Sequence, residues 1–387
     1  MKPAIVVIAY NRPRSIARLL DSINKAAYDV ADIPLIISID HASSEQNREV
    51  IEIANKFQWK YGEKRVVTHD QNLGLRKHVL SCGDLSEEFG SIIVLEDDLY
   101  VSPAFYRFST QALSHYQEHQ KIAGISLYSH RTNIPASLPF MPIHDGFDVF
   151  FFQFASSWGQ TWTDKQWKSF RTWYDEGHSI TADEALPTNV KSWPESSWLK
   201  YFIKYMVEND LYFVYPRIGY STNCSDAGTH AGETPNWQIP LAQDCQQQRF
   251  PTMDESIAIY DSYFELSNVS FNKIIPQLAE FEITIDLYGR REQNHIHTEY
   301  VLTSQPCKNP IKQYRFQLKP MELNALLPLE PGIQGDISLC KTKDLGSPCK
   351  LEIKDTRVLQ YFYGRFPFKQ IAKKLVSNRI RNIIRRK

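Results

Sequence analysis

The first part of the chain alternates between short, unbroken apolar runs and longer stretches with helical spacing. "AIVVIA" (residues 4–9) has no polar interruption, the pattern of a strand buried on both faces of a parallel sheet. The turn "YNRP" follows, and Pro13 suits the first turn of a helix in which Ile16, Leu19, Leu20 and Ile23 share a face. The unit then repeats. "IPLIISID" (33–40) predicts a second strand, and "SSEQNREVIEIANKF" a second helix with Ser43 or Ser44 as N-cap. "KRVVTHD" (64–70) predicts a third strand, "QNLGLRKHVLSCGDLSEEFG" a helix with a glycine exit, and "SIIVLEDD" a fourth strand. Strands and helices alternating in this way predict a parallel α/β sheet. Ligands of such sheets sit outside the carboxyl ends of the strands. Each strand here ends on polar residues: Tyr10-Asn11-Arg12, Asp40, His69-Asp70 and Glu96-Asp97-Asp98.

Beyond residue 100 an amphipathic helix (103–119) leads into an aromatic-dense stretch containing "DVFFFQFASSWGQTWTDKQWKSF" and "SWPESSWLKYFIKYM". From about residue 270 the alternating runs "EFEITIDLYGR" and "QYRFQLKPMELNALL" predict short β-strands of a further module, to which the sequence assigns no role. Arg365 to Lys387 holds nine Lys/Arg and no acidic residue, interleaved with Phe366, Phe368, Ile371, Leu375, Ile380, Ile383 and Ile384 at roughly helical spacing. A basic amphipathic helix of this kind suits an anionic membrane surface; RNA binding and docking onto the rest of the chain are the rival readings. The expected organisation is 1–100 and 101–268 as two halves of one α/β domain, 269–364 as a C-terminal module and 365–387 as a basic tail.

Composition narrows the picture. Lys+Arg 44 balance Asp+Glu 44 over 387 residues, so no global basic field gathers nucleic acid, and none is expected as a partner. Aromatic residues at 13% are plentiful enough to furnish sugar-stacking surfaces as well as a core. Six cysteines without CxxC spacing indicate neither a zinc knuckle nor a dense disulfide framework; reduced thiols fit, with Cys340 and Cys349 the pair an oxidising compartment would join. The run from Ala4 to Ala9 is too short for the apolar region of a signal peptide, and no run reaches the ~18 apolar residues of a membrane span. A cytoplasmic protein is the expectation.

The candidate chemistry lies in "SIIVLEDDLYVSPAFYRF" (91–108). A pair of carboxylates at a strand end is ordinarily a solvated loop. Here the triplet falls at the carboxyl end of the fourth strand, where a ligand crevice is expected. Adjacent like charges repel and raise one another's pKa, a cost that a bound cation reverses. Mg²⁺ and Mn²⁺ take oxygen ligands, commonly one or two carboxylates with substrate phosphates completing the sphere. Alternation along an extended chain lets one carboxylate ligate while its neighbour faces elsewhere.

"VLEDDLYVSPAFYRF" resembles the Glu-Asp-Asp-Leu signature of metal-dependent GT-A glycosyltransferases, above all the N-acetylglucosaminyltransferase I-like family, with Pro103, Phe105 and Tyr106 following as they do there. It is also similar to bacterial family-2-like transferases of surface polysaccharide assembly. The resemblance spans roughly residues 4–235 and is specific at 93–106. It implies a GT-A fold, a Rossmann-like, mostly parallel sheet flanked by helices, here with a C-terminal extension of short β-strands and a basic amphipathic helix. Asp98 would then be the direct ligand of Mn²⁺ or Mg²⁺, with Glu96 and Asp97 contacting the donor sugar or ordering the loop. Ala9, Tyr10, Asn11 and Arg12 would line the uridine pocket, Asp40 would meet the base or ribose, and "NLGLRKHV" would bring Asn72 and Arg76 to ribose and diphosphate. "FASSWGQTW" would set Trp158 beneath the donor sugar or acceptor; Trp162 and Trp167 read equally well as core. His230 would contact metal or diphosphate.

An inverting transferase also needs a carboxylate base. The resemblance offers Glu195 of "ESSW", where relatives carry Asp; Gly228, inserted before Thr229-His230, is a second departure. The function implied is transfer of a sugar from a nucleotide-diphosphate donor, first a UDP-sugar, to a saccharide or polyprenol-linked saccharide of a bacterial surface glycan. The enzyme would work on the inner face of the cell membrane. Two alternatives stand beside it. A sugar-phosphate nucleotidyltransferase usually shows a Gly-rich first loop, and "AYNRPRS" has no glycine. A non-catalytic glycan- or nucleotide-binding protein on a degenerate transferase fold is disfavoured by the intact acidic triplet.

Overall fold

The computed structural model describes residues 1–226, 237–346 and 356–364. The predicted alternation is present. β1 (Ala4–Ala9), α1 (Pro13–Lys25), β2 (Leu35–Ile39), α2 (Glu45–Lys56), β3 (Lys64–Thr68), α3 (Gly74–Asp84), α4 (Ser86–Phe89) and β4 (Ser91–Glu96) follow one another. Pro13 opens α1, and Ser44 caps α2 by accepting the Asn47 N–H at 3.2 Å. β4 ends at Glu96, and Asp97 and Asp98 form a turn before β5 (Leu99–Val101).

Then come α5 (Phe105–Tyr116), β6 (Ile122–Ser126), a small hairpin of β7 (Thr132–Asn133) and β8 (Leu138–Pro139), β9 (Val149–Phe152) and β10 (Gln160–Thr163). They are followed by α6 (Asp164–Asp175), α7 (Thr188–Lys191), α8 (Leu199–Glu208), β11 (Tyr212–Pro216), β12 (Ser221–Asn223), β13 (Ile259–Tyr260) and α9 (Asn268–Ile274). β14 (Ile283–Asp286), β15 (Tyr300–Thr303), β16 (Lys312–Tyr314) and β17 (Ile337–Lys341) make a separate four-stranded sheet, and α10 (Thr356–Tyr363) closes the described chain.

The central sheet has the order β13-β9-β11-β6-β10-β4-β1-β2-β3. β3, β2, β1 and β4 are parallel throughout, β11 joins β6 and β13 joins β9 in parallel, and the remaining three pairings are antiparallel. Alternation along each strand sends side chains to two opposite faces. Ile5, Val7 and Ala9 face one core with α1, α2 and α5; Val6 and Ile8 face a second with α3, α6 and α8. This is the mostly parallel sheet flanked by helices that the sequence predicts. Trp162 and Trp167 stack in the second core with ring centroids 4.5 Å apart, settling both as packing residues, and the absence of a side chain at Gly83 lets α3 lie against Trp167. No helix among the described residues is long and apolar enough to cross a membrane.

The C-terminal sheet shares the second core through Ile283, Ile285, Leu302 and Leu339. Polar contacts fix it further. Glu265 accepts the Tyr288 N–H at 2.8 Å, Arg291 pairs with Asp261, and the Asp286 carboxylate accepts from Gln305 at 2.8 Å and from the backbone of Arg290 and Arg291. "QYRFQLKPMELNALL" divides between two states: β16 takes its start, while Met321–Leu326 is a 3₁₀ helix. Cys340 packs beside Cys307 in a small apolar cluster, both thiols free; Cys349 lies outside the described residues, as does the basic stretch 365–387.

Glu322, buried in that 3₁₀ helix, has its carboxyl pushed up to about 7 by burial, against a hydrogen bond with Tyr260 that pulls it down. A carboxyl that holds its proton more tightly when folded contributes full stability below its unfolded pKa and loses it as pH rises through the folded value. Between about pH 5 and about pH 8 the unfolding free energy of the wild type should therefore fall relative to that of Glu322→Gln, by roughly 3 kcal/mol. Urea unfolding of both proteins across that range measures the difference; parallel curves would refute the assignment.

Candidate functional site

The site follows from strand register. β1 and β4 are parallel with Ile8 opposite Glu96, so the chain leaving β1 runs alongside the chain leaving β4. Arg12 thereby arrives beside Asp97 and Asp98. Its guanidinium pairs with Asp97 and donates to Asp98 Oδ2 at 3.0 Å. One oxygen of each carboxylate, Asp97 Oδ2 and Asp98 Oδ1, is buried and receives no hydrogen bond. The side chain of Asp97 is only 4% exposed, and burial pushes its carboxyl up to about 6, against the opposing charge of Arg12. Burial and the neighbouring Asp98 also raise Glu96. Carboxylates this close and this dry demand a cation, and Arg12, driven further into its charged form by both aspartates, supplies one.

The turn is held from the far side as well. β5 pairs antiparallel with β12, Leu99 opposite Asn223, and the Cys224 N–H donates to the Asp98 carbonyl at 2.9 Å. The chain therefore delivers Asp226 next to the acidic turn. Ser15 donates to Asp226 Oδ2 at 2.7 Å, and Arg18 pairs with the same carboxylate while reaching the Asp98 carbonyl at 3.4 Å. These hydrogen bonds hold Asp226 below the usual carboxylate range, against the opposing effect of burial.

Asp40, at the end of β2, turns its carboxylate to the backbone: it accepts from the N–H groups of His41 at 2.8 Å, Leu73 at 2.8 Å and Gly74 at 3.0 Å, tying the start of α3 to the sheet. Asn47 donates to the carbonyls of Tyr10 at 2.6 Å and Asp40 at 2.8 Å, locking two strand-end turns together. Asn72 donates to the His41 carbonyl at 2.8 Å. His78, on α3, bonds Ser38 at 2.7 Å and is held down to about 4 by burial.

Around these turns lies a cavity of about 480 Å³. Ala9, Tyr10, Asn11, Arg12, Asp40, Asn72, Glu96, Asp97 and Asp98, all expected site residues, line it together. Leu75 and His78 of α3, Ser157, Trp193, Ser197, Trp198, Leu199 and Asp226 complete the wall.

The structure sets three expected residues apart from this lining. Arg76 lies over the Tyr201 ring at 4.9 Å and pairs with Glu195 at 3.6 Å, so its charge is directed to α8. Glu195 is 74% exposed and held by Lys200 and by the Tyr201 hydroxyl at 2.6 Å; those bonds pull its pKa down. It stands in the same turn as Trp193 and Ser197, which do face the cavity. Trp158 packs between Tyr128, at 4.7 Å, and Trp237, at 5.1 Å. Beside it Gly159 takes φ +89°, and a Cβ there would meet Ser221 Oγ at 2.9 Å. His230 lies outside the described residues.

No protein-family model matches the chain, and no curated protein matches it. Solved structures do. The chain is similar to S. aureus TarS at 14% identity, over 57% of this chain and 36% of that one, with a TM-score of 0.34. It is similar to residues 1–349 of the same protein in complex with UDP-GlcNAc at 13% identity, over 59% and 60%, with a TM-score of 0.35. It is also similar to the mannosyltransferase PcManGT from Pyrobaculum calidifontis in complex with GDP-Man and Mn²⁺, at 10% identity over 43% and 46%, with a TM-score of 0.31. The match thus spans between about a third and three fifths of these structures' own length. At such scores any function has to be read from the site itself.

Sequence reasoning missed the roles of Ser15, Arg18 and His78. Ser15 and Arg18 meet Asp226 across more than 200 residues of chain, which no local pattern announces. His78 reads from the sequence only as a helix residue between Lys77 and Val79.

The Asp40 bonds yield a prediction. Asp40→Ala leaves the N–H groups of Leu73 and Gly74 without their acceptor and should cost about 1–3 kcal/mol in urea unfolding. Asp40→Asn, which keeps one acceptor oxygen, should cost less. Equal stability of Asp40→Ala and wild type would show that water replaces these bonds without loss.

Proposed function

We propose that the chain is a GT-A glycosyltransferase that uses a nucleotide-diphosphate sugar, first a UDP-sugar. The observation that carries this reading is the meeting of three strand-end turns, after β1, β2 and β4, on one cavity lined by the buried Asp97 and the partly buried Asp98, each with one buried oxygen that receives no hydrogen bond. A crevice at the carboxyl ends of parallel strands suits a nucleotide. The residues fit a hard divalent cation: Asp98 Oδ1 offers an oxygen ligand. Among the described residues no group of three or more His, Cys, Asp or Glu is arranged to hold a metal, so donor phosphates would complete the sphere. Bound there, Mn²⁺ or Mg²⁺ supplies positive charge to the departing diphosphate.

The chain's own residues do the rest. In this reading Tyr10, Asn11 and Asn72, which line the cavity, would meet the nucleoside, and Trp193, Trp198 and Leu199, which line it too, would offer an apolar surface to a sugar face. Glu195, ionised and oriented by Lys200 and Tyr201, takes the acceptor proton in the inverting reading. Asp226 is a second candidate because it lines the cavity itself. In this proposal the acceptor is a saccharide of a bacterial surface glycan, the basic segment 365–387 meets an anionic membrane surface, and the enzyme works on the cytoplasmic side.

Calorimetric titration of UDP, with and without Mn²⁺, tests the donor site. Binding to the wild type should require the metal, and Asp98→Ala should abolish it; metal-dependent binding retained by Asp98→Ala would remove Asp98 from the ligand set. With a turned-over donor in hand, Glu195→Gln should lower kcat by about 100-fold or more with KM little changed. If Asp226→Asn carries that loss instead, the base is Asp226. Binding without turnover of any UDP-sugar would favour a non-catalytic binding protein.

A further inference from the structure

Arg12 and a divalent cation compete for the same charge. The guanidinium already spans Asp97 and Asp98, and the Asp98 oxygen left over, Oδ1, belongs to the carboxylate whose other oxygen Arg12 holds. A cation on Asp98 Oδ1 would stand within a few ångströms of that guanidinium. Two like charges so close repel unless an anion comes between them. Among the described residues Arg12 forms ion pairs with these two aspartates alone, while the charges of Glu96 and Asp226 also act on it, and it lies in the turn that borders the cavity.

Building on the nucleotide reading above, we infer that Arg12 is a positioning residue that couples metal binding to diphosphate binding. It neutralises the aspartates in the free protein and so keeps the metal out. It turns to the incoming diphosphate when metal and nucleotide arrive together. The diphosphate brings the negative charge that lets guanidinium and metal coexist. Each ligand then raises the affinity for the other by the same factor. The proposed step involves no covalent chemistry: one ion pair, Arg12 with Asp98, gives way to two, Arg12 with phosphate and metal with Asp98.

The test is Mn²⁺ binding to the full chain, read from the electron paramagnetic resonance signal of free Mn²⁺, with and without saturating UDP. Wild type should bind Mn²⁺ weakly alone and about tenfold or more tightly with UDP. Arg12→Gln should bind Mn²⁺ alone about tenfold more tightly than wild type, and UDP should then add little. Arg12→Lys, which keeps the charge but loses the fork that spans both aspartates, should fall between wild type and Arg12→Gln. If Arg12→Gln binds Mn²⁺ alone no better than wild type, or keeps the full UDP effect, the inference is overturned.

Should Arg12→Gln fail to fold, the double variant Arg12→Gln/Asp97→Asn keeps the net charge of the cluster while removing the cation. Tighter Mn²⁺ binding by it supports the coupling, and equal or weaker binding overturns it. If UDP binds no form of the protein, the nucleotide reading fails, while the comparison of Mn²⁺ alone still decides the role of Arg12.

Discussion

The ion pairs of Arg12 with the buried Asp97 and the partly buried Asp98 are the contact on which the site depends. Two carboxylates cannot be withdrawn from water side by side unless something positive goes with them. The parallel register of β1 and β4 makes that possible, because it carries the turn after one strand along the turn after the other. Everything nearby holds these two turns in place: Asn47 bridges Tyr10 and Asp40, Asp40 grips the start of α3, and the β5–β12 ladder fixes the acidic turn from behind.

The remainder of the architecture serves this edge. Because β1, β4 and β9 are apolar on both faces, helices cover the sheet twice, and the polar residues that follow β1, β2 and β4 gather at the strand ends. The C-terminal sheet adds a further layer on the second face. It buries Glu265, Asp286 and Arg291 as a satisfied network, where leaving out any one member would strand the others in a dry environment.

How much of this the sequence showed depends on the range of each interaction. β1 to β4 were legible because a strand buried on both faces writes an uninterrupted run such as "AIVVIA", and the acidic triplet was legible because it stands at the end of one. Tyr10, Asn11, Arg12 and Asp40 in the cavity lining followed from the same rule about strand ends, whereas Ala9 and Asn72 came from the resemblance alone. Pairings between distant residues left no trace: Ser15 and Arg18 with Asp226, or Arg76 turned toward Glu195. Alternation also misled at "QYRFQLKPMELNALL". There Asn324 is buried, accepting the N–H groups of Gln317 and Leu318 and donating to the Leu318 and Met321 carbonyls, so local side-chain bonds overrode a strand-like pattern and closed a 3₁₀ helix.

The β5–β12 ladder has a mechanical meaning beyond holding the turn. Backbone bonds join residues 98–101 to 221–224 as a two-stranded ribbon, which brings Asp226, two residues past its end, to the side of Asp98 even though 127 residues of chain lie between them in the sequence. The two parts of the cavity wall at Asp98 and Asp226 therefore share one backbone support, built from segments far apart in the chain.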